Sequence, residues 1–181
     1  MKRMLLAGTV AVATALSLAQ TANAEPMAPP VPGEIVVPEG HKPFLIGHAT
    51  GVQIYACNAT DAGYKWGLVA PRANLYDDKG KLLTTHSGGP TWEALDGSKV
   101  TARRDKWVNV DRSAIDWLLL AATSATAGPN GDRLAGTSYI QRIKTVGGIA
   151  PPAADCSAAT AGTQNEVAYT ADYVFWKKTG I

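Results

Sequence analysis

The chain between residues 166 and 176 has the two-residue alternation of a half-buried β-strand. One face is apolar and aromatic, and it carries Val167, Tyr169, Ala171, Tyr173 and Phe175. Shorter segments of this kind recur along the chain, separated by turn signals such as Asp77-Asp78-Lys79-Gly80. About nine such strands, with at most one short helix, predict an all-β fold: a single antiparallel β-sandwich or barrel-like domain with long loops.

Composition supports this fold class. Charged residues make up 18% of the chain, below the roughly 25% of typical soluble domains, and 18 Gly and 11 Pro provide many turns. Locally, we expect Pro71 to end a strand that begins near Tyr64, and a short edge strand at residues 34–37. Residues 115–122 form an apolar run that fits either a short helix capped by Ser113 or a buried strand.

The first residues predict an export signal. Lys2 and Arg3 precede an apolar run over residues 4–18, and Ala22-Asn23-Ala24 forms a small-x-small cleavage site. We therefore expect residues 1–24 to be a signal peptide, and the mature protein to be periplasmic or secreted. The run is shorter than the about 20 residues of a membrane span. Residues 25–42 then form a Pro-rich N-terminal extension, and residues 43–181 a single β-rich domain.

The charge balance bears on the class of partner. Lys2 and Arg3 are two of the 17 Lys and Arg, so without them 15 basic residues face 15 acidic ones. A chain with this balance has no basic stripe for nucleic acid or for an anionic membrane surface. A saccharide or another small neutral ligand fits better, and we expect no membrane span in the mature chain.

Two cysteines are present, Cys57 and Cys156. In an exported protein such a pair is most often a disulfide. The bridge would close a loop of about 100 residues and stabilise the fold by roughly 3–5 kcal/mol. A pair of buried free thiols, or of metal ligands, is the weaker alternative.

The densest cluster of reactive and recognition groups lies in residues 86–98. His86 precedes Glu93 in this segment, so a hairpin between them would place a general base beside a carboxylate. With Arg142 to steady negative charge, these residues are candidates for a small hydrolase or lyase acting on polysaccharide. The alternative, which we favour, is that Asp96-Gly97-Ser98 is a structural turn and Glu93 an outward strand residue.

The competing hypothesis is a ligand-binding or envelope-associated module. Trp92, Gln141 and Arg142 combine a flat aromatic face with planar polar groups, as saccharide sites require. In the structural alternative the aromatic residues fill the core and Arg142 pairs with Asp172.

We predict neither a metal site nor a cofactor. The spacing of His41, His48 and His86 matches no zinc motif. Gly147-Gly148 precedes a loop rather than a helix, so it lacks the dipole of a phosphate site.

Several segments together resemble one known family. They are residues 51–57, 86–98, 117–120, 139–142, 145–148 with 150–151, and 169–175. The set is similar to an exported bacterial and fungal family catalogued as domain of unknown function number thirty-four fifty-five. The resemblance covers nearly all of the expected mature chain and implies a secreted single-domain protein, but it brings no activity and no catalytic residue. The chain departs from the expected pattern at Asp116, where a proline would precede the tryptophan.

Overall fold

A computed structural model describes residues 26–180. Within them, eight β-strands and two short 3-10 turns follow one another along the chain. The strands are β1 His41–Thr60, β2 Gly63–Tyr76, β3 Leu82–Ser87, β4 Thr91–Ala94, β5 Lys99–Val108, β6 Trp117–Thr126, β7 Thr137–Gly147 and β8 Gln164–Lys178. The 3-10 turns are Gly33–Ile35 and Ala153–Asp155.

Each strand pairs antiparallel with the next, and β8 pairs with β1, which closes the sheet into a barrel. The predicted all-β antiparallel domain is therefore confirmed. The described residues hold eight strands rather than about nine, and β1 is continuous over 20 residues. Gly51 makes this continuity possible: a Cβ there would lie 2.5 Å from the Cα of Ala73 on β2, so only glycine allows the two backbones to approach so closely.

The barrel encloses the main core. Tyr169, Ala171, Tyr173 and Phe175 of β8 all belong to it, as the alternation of that strand predicts. The opposite face of β8 carries Val174 and Trp176, which are also buried but belong to a second cluster outside the barrel wall. Both faces of this strand are therefore covered over part of its length.

The N-terminal extension provides that outer cover. Ile35 and Val37 are buried against apolar residues on the outer face of the barrel, including Leu119, Ile143 and Trp176. The prediction of an edge strand at residues 34–37 is wrong, because residues 33–35 form a 3-10 turn. Instead of a β-ladder, a side chain holds this backbone: Nε2 of Gln141 donates to the carbonyl oxygen of Ile35 at 2.8 Å.

The apolar run at residues 115–122 is a strand rather than a helix. Leu118 and Leu120 of β6 face the inner core, while Leu119 faces the outer one. A strand that is covered on both sides loses the apolar-polar alternation, which is why periodicity left the choice open. Ser113 caps no helix, because its backbone N–H and its hydroxyl both donate to Oδ1 of Asp111 in a turn.

Pro71 does not end its strand, contrary to the expectation above. β2 continues through it to Tyr76, and Pro71 pairs with Gln53 on β1. On the other side, the pairing of β2 with β3 stops at Ala73 and His86. Pro71 therefore lies where one edge of β2 is unpaired, and there the missing N–H costs no ladder hydrogen bond.

The predicted disulfide between Cys57 and Cys156 is confirmed. It fastens β1 to the long loop between β7 and β8. The predicted signal peptide, residues 1–24, lies outside the described residues. Within the described part of the chain, no helix has the length and apolar character that a membrane span requires.

Candidate functional site

One end of the barrel holds a cavity of about 580 Å³. The cavity forms because neighbouring strands differ in length. β3 has 6 residues and β4 has 4, whereas the adjacent β2 has 14 and β5 has 10. The short hairpin leaves a notch in the wall, bounded by residues 68–71 of β2, the turn at residues 88–90 and Arg104 of β5. Ile149 and Ala150 of the β7–β8 loop line the cavity from the opposite side.

His86 and Trp92 form the inner wall below this notch. They are direct partners across the β3–β4 hairpin, so their side chains emerge on the same face of the sheet. Their rings stack at 4.2 Å with an interplanar angle of 8°. Tyr173 packs edge-on against both, at 5.1 Å from His86 and 5.5 Å from Trp92. Three elements thus fix this aromatic cluster.

Burial controls the charge of His86, which is only 4% exposed. Loss of solvent lowers the pKa of the imidazole to about 4, opposed by the hydrogen bond to Thr91 and assisted by the positive charge of Arg142. His86 is therefore neutral near pH 7. Its Nδ1 lies 2.9 Å from the carbonyl oxygen of Thr91 and donates to it, which leaves Nε2 as an acceptor without a protein partner among the described residues.

Arg142 brings a positive charge into the same cavity. It pairs with Leu118 and Tyr173 on the neighbouring strands, so it faces the barrel interior with them. Its Nε and Nη2 both donate to the backbone oxygen of Asp116, at 3.1 and 2.8 Å. The hydroxyls of Tyr169 and Tyr173 lie 3.3 Å apart, and burial raises the pKa of each, so both stay protonated as potential donors.

Two buried polar groups at the cavity lack partners in the described structure. Gln53 is 1% exposed, and neither its amide oxygen nor its amide nitrogen has a hydrogen bond. Trp92 is also 1% exposed, and its indole Nε1 is unpaired. Both residues line the cavity. Because a buried amide or indole N–H without a partner costs about 1–3 kcal/mol, these groups favour a hydrogen-bonding partner, a ligand or water, in the cavity.

Sequence reasoning missed Gln53. The alternation in β1 placed Val52 and Ile54 on one face and Gln53, Tyr55 and Cys57 on the other. The structure buries the second set, including the amide of Gln53, which a purely apolar core would exclude. The signal was available: a glutamine, a tyrosine and a disulfide cysteine on one strand face predict a buried face that is polar.

The structure brings together three of the sequence-predicted site residues, His86, Trp92 and Arg142, which all line the cavity. Glu93 lies elsewhere: it is exposed on the outer face, and its carboxylate pairs with Nζ of Lys99 at 2.9 Å. Gln141 also faces outward, where its Oε1 accepts from the indole nitrogen of Trp176 at 2.9 Å. The Gln141 side chain therefore links Trp176 to Ile35 in the outer cluster and does not line the cavity.

Asp96 belongs to a structural turn at the opposite end of the barrel. The hydroxyl and the backbone N–H of Ser98 donate to its Oδ1 at 2.6 and 2.9 Å, and the backbone N–H of Arg133 donates to Oδ2 at 2.9 Å. These bonds, the Ser98 hydroxyl first, lower the pKa of the Asp96 carboxyl to about 2. The carboxylate thus joins the β4–β5 turn to the β6–β7 loop.

The predicted pairing of Arg142 with Asp172 is not present. Asp172 instead pairs with Nδ1 of His48 at 2.6 Å and with Nζ of Lys144 at 2.9 Å, on the outside of the barrel. Among the described residues, no three His, Cys, Asp or Glu side chains are grouped so that they could hold a metal ion.

Comparison with known proteins agrees with the resemblance in the sequence. The family described as "Protein of unknown function (DUF3455)" matches residues 38–177. The chain belongs to this family. The matched span contains every residue of the cavity named above and all eight strands except Lys178, the last residue of β8. No curated protein and no solved structure matches the chain significantly.

Proposed function

We propose that the protein is a ligand-binding module that holds a small organic molecule in the cavity beside His86 and Trp92. The observation that carries the proposal is the pair of unsatisfied buried groups, the Gln53 amide and the Trp92 indole N–H, on the wall of one cavity. A ligand that hydrogen-bonds to both would recover the free energy lost by burying them.

The size and lining of the cavity support a small-molecule ligand. Its volume of about 580 Å³ lies within the roughly 300–1,000 Å³ of typical ligand sites. Apolar residues such as Leu118 and Leu120 lie inside, and exposed apolar residues surround the mouth: Leu68 is 58% exposed, Val69 52% and Ile149 44%. Apolar walls with a few placed polar groups are the usual composition of such sites.

A polysaccharide hydrolase or lyase with His86 and Glu93 as partners has less support. The two side chains lie on opposite faces of the β3–β4 hairpin, because Glu93 is the strand neighbour of the inward-facing Trp92. A carboxylate that pairs with Lys99 outside the barrel has no access to a substrate beside His86. Binding therefore explains this arrangement better than acid-base catalysis by that pair.

We propose further that the protein works in the periplasm or outside the cell. The disulfide between Cys57 and Cys156 supports this location, since such bonds persist in oxidising compartments and are rare in the cytosol. The saccharide suggested by composition remains one of the ligand classes to be tested.

The proposal is tested with N-phenyl-1-naphthylamine, a neutral probe whose fluorescence increases in apolar surroundings. We expect saturable binding of one probe per chain. Ile149→Trp narrows the mouth and should weaken binding about tenfold or more. Val146→Trp is the matched control, because Val146 is exposed and does not line the cavity. Absence of saturable binding, or equal loss in both variants, would contradict the proposal.

A further inference from the structure

The charges around the cavity are unbalanced. Arg104, Arg112 and Arg142 line it, whereas Asp116 is the one carboxylate among the described residues of its lining. The side chain of Asp116 is already engaged, because its Oδ1 accepts from Nδ2 of Asn109 at 2.9 Å. Since His86 is neutral near pH 7, the lining carries a net positive charge.

Arg142 is the innermost of these cations and lacks a carboxylate partner within residues 26–180. Its Nε and Nη2 donate to the backbone oxygen of Asp116, and its guanidinium also interacts with the hydroxyl of Tyr173. Both partners are neutral, so they orient the guanidinium and leave its charge uncompensated. Surface arginines of the same chain are paired differently: Arg72 with Glu166 at 2.6 Å and Arg103 with Asp105 at 3.4 Å. A partly enclosed cation without a counter-charge is costly, and an anion beside it offsets that cost.

We infer that the ligand of this cavity is a small organic carboxylate whose negative charge lies against the guanidinium of Arg142 and whose other polar groups pair with Gln53 and the Trp92 indole N–H. This inference rests on the binding function proposed above. Bonds from Nε and Nη2 to one carbonyl leave further guanidinium N–H groups for a carboxylate, whose planar geometry they match.

The remaining groups define the rest of the ligand. Nε2 of His86 accepts a hydrogen bond, so a hydroxyl or amide donor on the ligand fits there. Leu118, Leu120 and Ile149 provide an apolar surface for a carbon skeleton. A small acid with an apolar body and hydroxyl or amide groups that both donate and accept combines these features, whereas a fully polar anion would leave the apolar wall without a partner.

Matched acids and amides test the charge by itself. Benzoate and benzamide, and octanoate and octanamide, differ mainly in the negative group. Each is titrated against protein loaded with N-phenyl-1-naphthylamine, and displacement is measured. We expect each acid to displace the probe at a concentration about tenfold lower than its amide, since a charged hydrogen bond outweighs a neutral one.

Variants of Arg142 locate the effect. Arg142→Gln should remove the preference by weakening the acids and leaving the amides unchanged, and Arg142→Lys should restore part of it. Arg103→Gln is the control, because Arg103 is exposed and does not line the cavity. Melting temperatures of all variants show whether each one is folded, and the Lys variant keeps the test valid if the Gln variant is not.

The outcomes separate this inference from the binding function. If acids and amides displace the bound probe equally, or if neither displaces it, the carboxylate inference is overturned while the cavity remains a binding site. If Arg142→Gln weakens acids and amides alike, Arg142 shapes the site without recognising charge, and the inference also falls. If the neutral probe itself fails to bind, the binding function is overturned first.

Discussion

Replacing His86 should change how the stability of the fold depends on pH. The folded-state pKa of His86 is about 4, against about 6.5 for an unfolded histidine. Between these values the unfolded chain binds a proton that the folded protein excludes. Acidification through this window therefore favours unfolding, and above pH 6.5 the effect disappears.

The size of the effect follows from the shift. Each pKa unit corresponds to about 1.36 kcal/mol, so the full shift is worth roughly 3 kcal/mol, and the part expressed between about pH 7 and pH 5 is roughly 2 kcal/mol. This pH range separates the effect of His86 from that of the carboxyl groups whose pKa values are shifted. The carboxyls of Asp77, Asp96 and Asp111 have lowered pKa values, so the stability they add is retained until the pH falls below about 4.

The assay is urea unfolding at the two pH values. His86→Phe keeps a ring against Trp92 but cannot take up a proton, so the loss of stability on acidification should shrink by about 2 kcal/mol. His48 provides a control of opposite sign. Hydrogen bonds to Asp172 and Asp78, the first being the larger cause, raise its pKa against the effect of burial. His48 therefore stabilises the acidic side, and His48→Gln should make acidification more damaging. An unchanged pH dependence in His86→Phe would refute the assignment.

Three further predictions concern the fold. Replacing Cys57 and Cys156 together by Ser opens a loop with a sequence separation of 99 and should lower the unfolding free energy by about 2–5 kcal/mol in urea titrations; a loss below 1 kcal/mol would contradict this. Gly51→Ala should lower the melting temperature strongly, because the added Cβ would overlap Ala73. Gly33→Ala is the control and should not lower it, because no atom lies within 4 Å of a Cβ added there. Equal melting temperatures of the two variants would contradict this. Ile35→Ala should cost about 2–5 kcal/mol because Ile35 is fully buried under the outer face, and chemical unfolding that shows no loss would mean the extension does not stabilise the barrel.

The sequence predicted the fold class because the strands that decide it alternate clearly. In β8 the two-residue period separated the inner residues, such as Tyr173, from Asp172 on the outside. The prediction was less certain where both faces of a strand are covered, as at Leu118 and Leu119, because the pattern then loses its period. It was wrong at Pro71, because the effect of a proline depends on whether the neighbouring strand is long enough to pair with it.

The site was predicted only in part. Proximity in sequence grouped His86 with Glu93, although the period of a strand places Trp92 and Glu93 on opposite faces. Pairing across the hairpin, which brings His86 onto Trp92, depends on the register of the turn. The approach of Arg142 and Gln53 to this pair depends on closure of the barrel, which no local pattern contains.

The most direct test of the cavity as a binding site uses the indole N–H of Trp92 as a reporter. Nitrogen-proton correlation spectra resolve the indole signals, and the variant Trp92→Phe assigns the one from the cavity. Benzoate, benzamide and galactose are titrated in turn. We expect at least one of these compounds to shift the Trp92 signal saturably, while the signal of Trp176, whose indole N–H donates to Gln141 outside the barrel wall, stays in place. If no compound moves the Trp92 signal, or if shifts occur at Trp176 instead, the cavity is not the binding site.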